Sequence, residues 1–176
     1  KNIKKIRKRG ISFKRSRGSN YKRLILKPYI LSIDAGTTGI TVLLLDHDAK
    51  IYKKYYQEFT QYYPKSDWVE HDGEEIWNIT LNLIQSAFQD YPPKYCVCIG
   101  IANQRETTII WDRKTNKPIY NAIVWQCQRT KNICKELKNN GYENLILNKT
   151  GLKIDSYFSG TKIKWILDNI NQARKR

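Results

Sequence analysis

The run Asn103-Gln104-Arg105-Glu106-Thr107-Thr108 is the part of this sequence best suited to chemistry. Arg105 offers a fork of N–H donors and Glu106, beside it, offers acceptors alone. Two uses fit. The pair could hold neighbouring hydroxyls of a small polyol, one residue donating and the other accepting, or it could close on itself as an ion pair at a strand end. A second candidate is Asp34-Ala35-Gly36-Thr37-Thr38. Glycine lets backbone approach a phosphate closely, threonines supply hydroxyls and amides, and Asp34 could hold magnesium directly or through its waters. The stretch is not a P-loop, because Gly-x-x-x-x-Gly-Lys occurs nowhere in the chain. Ordinary turn chemistry is its competing explanation. Trp125 is the third candidate, since an aromatic ring near the 103–108 loop could pack on the carbon backbone of a polyol. His47 and His71 have no nucleophile or metal partner nearby in the sequence. His71, between Glu70 and Asp72, reads as a structural hydrogen-bonding residue rather than a base.

These residues need elements to position them. The 103–108 loop follows Tyr95–Ala102, a continuous apolar run that reads as a strand covered on both faces in the middle of an α/β sheet. Chain leaving such a strand is where α/β proteins hold ligands. Tyr29–Ile33 and Gly39–Leu45 read as strands flanking Asp34–Thr38, a link short enough for a hairpin turn. A third strand, from Lys50 to about Phe59, completes a meander. Asp72 is a helix N-cap, and Glu75 three residues on gives a capping box. The helix face carries Ile76, Thr80, Leu83, Ile84, Ala87 and Phe88, and Pro92-Pro93 ends it. Thr107–Trp111 and Ile119–Trp125 read as further strands. A second helix runs from about Gln128 to Asn140 with Thr130, Ile133, Cys134 and Leu137 on its stripe and Gly141 as its stop. A last helix starts near Ser159, with Ile163, Ile166, Leu167 and Ile170 recurring at helical spacing.

Composition bounds the rest. A chain of 176 residues can bury a real core. No run reaches the length of a membrane span. Cys96, Cys98, Cys127 and Cys134 fit no zinc or redox spacing and read as reduced core thiols, which points to a reducing, cytoplasmic compartment. The net charge of +16 is unevenly spread: residues 1–33 hold 12 of the 32 Lys and Arg and no acid. Residues 1–27 are expected to be a disordered basic arm, with 28–176 as the folded domain. Nucleic-acid binding would have to come from that arm. If the arm is a transit peptide, the compartment would be mitochondrial. The chain contains no Met, so its natural start is expected to lie elsewhere.

Taken in order, several stretches resemble the FGGY carbohydrate kinases, most closely the members that phosphorylate glycerol. They are Asp34-Ala-Gly-Thr-Thr-Gly39, Trp68-Val-Glu-His-Asp72, Asn103-Gln-Arg-Glu-Thr-Thr108, Asn121-Ala-Ile-Val-Trp-Gln-Cys-Gln-Arg-Thr130, Thr150-Gly-Leu152 and Tyr157-Phe-Ser-Gly-Thr-Lys162. The resemblance implies an α/β, actin-like or ribonuclease H-like ATPase fold, with a mixed sheet, a β-hairpin phosphate loop and flanking helices. It implies ATP and magnesium as cofactors, glycerol as partner, and a homo-oligomer in the full-length form. Gly36, Thr37, Thr38, Gly39 and Thr41 would form the nucleotide-binding set, with Thr41 standing where many members carry a phosphate-reaching Arg. Asp34 would serve magnesium. Arg105, Glu106 and Tyr157 would bind glycerol hydroxyls, Trp125 would wall its carbon side, and Thr37 would adjoin the substrate. Only about the first third of a family member is covered. The catalytic Asp is expected beyond residue 176, so the chain alone is expected to lack turnover.

Overall fold

A computed structural model describes residues 27–175; the expected basic arm lies outside them except for Lys27. The alternation of buried Tyr29, Leu31 and Ile33 with less buried neighbours marks strand β1, Tyr29–Ala35. Ile40, Val42 and Leu44 do the same for β2, Gly39–Leu45. The turn between them is closed by the Gly36 amide on the Gly39 carbonyl at 3.1 Å. Next comes β3, Ile51–Glu58, and the two-residue β4, Glu70–His71. Helix α1, Gly73–Asp90, lays Ile79, Leu83 and Ala87 on the sheet, where they close one core with the inward residues of β1 and β2. β5, Cys96–Asn103, follows. The sheet order is β3-β2-β1-β5; β1 and β5 run parallel and the other pairs antiparallel.

A second core lies beside the sheet. Strand β6, Ala122–Ile123, pairs with β4, and Ile123 and Cys127 pack with Ile166 of helix α4, Ser159–Asn169. Between them come α2, Lys131–Asn139, and α3, Glu143–Thr150. The side chains of Glu70 and Arg129 form a buried ion pair at 2.6 Å here. Arg129 lies over the Trp68 and Trp165 rings, 3.9 and 4.6 Å from their centroids. Tyr120 and Asn121 donate to the two Glu70 oxygens.

Several expectations need correction. β5 is a strand but an uncovered one: Val97, Ile99 and Ile101 are 65, 54 and 74% exposed. α1 lies over β1, β2 and β3, and among the described residues of β5 only Cys96 packs against that core. An apolar run states a demand for cover, not its source. Cys98 is accordingly exposed, whereas Cys127 and Cys134 are buried thiols as expected. The strands expected over 107–111 and 119–125 shrink to β6 and single bridges, Thr108 with Ile123 and Trp111 with Pro118. Asp72 caps α1 by accepting from the Glu74 and Glu75 amides. Glu75 does not reciprocate; it accepts from the Thr60 amide and hydroxyl, both at 3.0 Å. On α4 Ile163 is exposed, and the buried residue beside it is Lys162.

Candidate functional site

Parallel pairing of β1 with β5 sets Asp34 beside Ala102 and Ala35 beside Asn103, so the turn at Gly36–Thr38 and the 103–108 loop leave the sheet together. The Gln104 amide ties the second to the first, donating to the Ala35 carbonyl at 2.9 Å. Both sequence candidates therefore belong to one place at the strand ends, as the α/β rule requires.

In the turn, the Gly36 amide is used by the hairpin itself. The Thr37 and Thr38 amides meet no acceptor among the described residues, which leaves two donors for an anion. Gly39 is glycine for a structural reason: a Cβ there would lie 2.6 Å from the Gln57 carbonyl oxygen and 2.8 Å from the Tyr56 ring. Thr41 sits within β2 opposite Asp34 and Tyr56, not in the turn. Asp34 is exposed at the end of β1. No group of three or more His, Cys, Asp or Glu able to hold a metal ion occurs among the described residues. One exposed carboxylate suits a magnesium ion that keeps most of its waters and is held mainly by phosphate.

Arg105, Trp125 and Tyr157 line one small cavity of about 210 Å³. The Trp125 and Tyr157 rings meet edge to face, with centroids 5.9 Å apart. The Arg105 guanidinium and the Tyr157 hydroxyl have no hydrogen-bond partner among the described residues. Trp125 reaches the Gly36–Thr38 turn as well, its Nε1–H donating to Thr37 Oγ1 at 3.1 Å. The cavity wall and the turn are thus joined by one side chain.

Arg105 and Glu106 form no ion pair with each other. Glu106 adopts φ +64°, a left-handed conformation unusual for a residue with a side chain. Its Oε2 accepts from the Ser159 amide at 2.9 Å and hydroxyl at 2.7 Å. The carboxylate so held lies at the N-terminus of α4, where the helix dipole favours negative charge. Oε1 remains open as an acceptor. The Lys162 ammonium, buried behind, donates to the Tyr157 and Phe158 carbonyls. Burial lowers its pKa, and Glu106 works against that shift.

His71 proves structural, as its sequence context suggested. It is fully buried, bonded to Gln61 and Gln104, with the Phe59 ring edge-on at 4.8 Å. Burial pushes its pKa down to about 4, so it is neutral at pH 7. Sequence reasoning missed Gln61 and Ser159, and gave Gln104 and Thr107 no role. Nothing local marks Gln61: its importance comes from tertiary placement.

Known proteins resemble this chain over most of its length. Residues 29–176 match the FGGY family of carbohydrate kinases, N-terminal domain. A glycerol kinase of Leptospira biflexa is 57% identical over 152 residues, which is 85% of this chain and 30% of that protein. One from Halothermothrix orenii is 53% identical with the same coverage. The crystal structure of Plasmodium falciparum glycerol kinase with ADP superposes with a TM-score of 0.78 at 37% identity, over 85% of this chain and 30% of that one. Xylulose kinase from Lactobacillus acidophilus, at 22% identity and a TM-score of 0.77, shares the fold. The chain thus spans about 30% of the length of these relatives. Its architecture is that of the actin-like ATPases. With that match over residues 29–176, and with a hairpin turn presenting free amides beside the cavity of Arg105, Trp125 and Tyr157, the chain belongs to the FGGY family of carbohydrate kinases.

Proposed function

We propose that this chain supplies the glycerol-binding and phosphate-contacting part of an enzyme that transfers the γ-phosphoryl of ATP to a terminal hydroxyl of glycerol, giving sn-glycerol 3-phosphate. The observation that carries the reading is the shared cavity of Arg105, Trp125 and Tyr157, linked through Trp125 Nε1 to Thr37. Arg105 and the Tyr157 hydroxyl donate to the substrate's oxygens, and Glu106 Oε1 accepts from a hydroxyl. Trp125 packs on the carbon backbone, and Thr37 adjoins the substrate. The Thr37 and Thr38 amides, with Gly36 and Gly39 shaping the turn, receive phosphate oxygens. Thr41 lies within β2 and contributes no cation to that site. Asp34 holds magnesium through its waters, and the ion, when bound, supplies neutralisation of phosphate charge. Catalysis of this kind rests on positioning and electrostatics.

We assign the general base to none of the residues in this chain. The glycerol kinase relatives extend well past the stretch matched here, and an aspartate in that further length is the assignment we make. Residues 28–176 act as one N-terminal domain, and the full-length protein works in the cytoplasm as a homo-oligomer. The test is calorimetric titration of the chain with glycerol and with xylulose, for wild type and Arg105→Ala. Glycerol binding that Arg105→Ala weakens roughly tenfold or more supports the reading, a charge-assisted hydrogen bond being worth about 1.5–3 kcal/mol. A preference for xylulose would assign the site to a pentose kinase instead.

A further inference from the structure

The phosphate turn and the polyol cavity are also joined at the back, by a line of hydrogen bonds whose middle members, Gln61, His71, Gln104 and Thr107, lie outside the cavity lining. The Trp125 backbone N–H donates to Thr107 Oγ1 at 3.2 Å. Thr107 in turn donates to Gln104 Oε1 at 2.9 Å. Gln104 Nε2 lies 3.2 Å from His71 Nδ1, and His71 Nε2 lies 2.6 Å from Gln61 Oε1. Gln61 Nε2 then donates to the Thr37 carbonyl at 3.1 Å. The Trp125 indole, bonded to Thr37 Oγ1, closes the ring from the front.

The direction of this ring is set from Gln61. The amide nitrogen of Gln61 is spent on a carbonyl, which can only accept, so its oxygen must face His71. The oxygen of Gln104 is spent on the Thr107 hydroxyl, whose own lone pair takes the Trp125 amide. In this arrangement Gln104 presents its nitrogen to His71. Only a neutral imidazole protonated at Nε2 satisfies both glutamines. Every bond then points the same way, from Trp125 to Thr37, and each strengthens the next.

We propose that His71 is a positioning residue: as the Nε2–H tautomer, through Gln61 on one side and Gln104 with Thr107 on the other, it fixes the spacing between the phosphate turn and the Trp125 wall. This rests on the proposed function of the site. His71 lies on β4 behind both loops and touches neither the cavity lining nor the turn amides. Protonation of Nδ1 would set two donors face to face at Gln104. A flip of that amide would then take from the Thr107 hydroxyl proton the Gln104 oxygen that accepts it. Glu75 is the charged group whose field reaches the imidazole, and it favours the protonated form; burial opposes it more strongly.

The test uses the 176-residue chain labelled with 15N. Its five tryptophans give five indole N–H signals, and Trp125→Phe identifies that of Trp125. In the unsubstituted chain at neutral pH, the imidazole nitrogens of His71 should show Nδ1 bare and Nε2 protonated; the reverse tautomer overturns the proposal without any substitution. His71→Phe keeps a ring of similar size and removes both bonds. It should shift the Trp125 indole signal, leave the other four in place, and weaken glycerol binding about tenfold, the scale of one buried hydrogen bond. His71→Gln, which can restore the bond to Gln61, should recover part of that loss, and it carries the same readouts if the phenylalanine variant does not fold. An unmoved Trp125 signal with glycerol affinity unchanged, or movement of all five signals together, overturns the proposal. If the unsubstituted chain binds no glycerol, the proposed function fails, while the tautomer and the Trp125 signal still decide the role of His71.

Discussion

Replacing Glu70 with glutamine should damage this fold more than any surface charge change could. The Glu70 and Arg129 side chains are 3% and 0% exposed, so their attraction acts with little water to screen it. Glu70→Gln keeps the shape and keeps an oxygen for Arg129 and Tyr120, but leaves the guanidinium as an unbalanced buried charge. Breaking such a pair from one side costs roughly 3–5 kcal/mol. The Trp68 and Trp165 faces remain, and desolvated cation–π contacts of this kind are worth up to about 2 kcal/mol, which keeps the guanidinium from becoming intolerable. The expected loss is therefore about 3 kcal/mol, at the lower end of the range. With a urea slope of about 2 kcal/mol per molar, the unfolding midpoint should fall by about 1.5 M. Arg129→Met alone should cost a similar amount. The double variant should cost clearly less than the two together, because neither charge is then stranded. Equilibrium urea unfolding followed by tryptophan fluorescence measures all four proteins. A Glu70→Gln midpoint within about 0.3 M of the parent, or strict additivity in the double variant, would refute the reasoning.

Other outcomes follow from the same geometry. The His71 pKa is lowered from 6.5 to about 4, so its contribution to stability is fully present above pH 6.5 and is lost as pH falls from 6.5 towards 4; denaturant midpoints measured across that window should fall in the parent and flatten at this step in His71→Gln. Gly39→Ala should destabilise by about 1–3 kcal/mol, because its Cβ meets the Gln57 carbonyl, whereas Gly100→Ala, with nothing within 4 Å, should leave the urea midpoint unchanged or slightly raised. Ser159→Ala removes one of two donors to Glu106 Oε2, and calorimetry should show glycerol affinity lowered about fivefold, the worth of roughly 1 kcal/mol.

Local chemistry was legible and tertiary placement was not. The hairpin around Gly36 announces itself because two apolar strands flank a five-residue link rich in turn formers. Asp72 is a visible cap for the same reason, since its partners are two and three residues away. The partner of Glu75 is Thr60, fifteen residues back, and no capping pattern reveals that. α3 escaped notice because Leu145 and Leu147 do not form a helical stripe, and both are exposed. Arg105, Trp125 and Tyr157 were each singled out, yet only folding brings them around one cavity. Gln61 carried no signal at all, and it anchors the Thr37 carbonyl.

β5 ends the sheet order, so its outer rim of amides and carbonyls meets no strand among the described residues, and apolar side chains crowd it. Such a rim is a template for any extended chain it meets, another copy included. Loss from solution by this route begins with a collision of two molecules, so its rate rises with the square of concentration. Dilution will protect the protein better than cooling, which weakens the apolar contribution only modestly. A single gatekeeper on the rim, Ile101→Lys, should lengthen its life at high concentration without touching the Arg105 cavity one loop away.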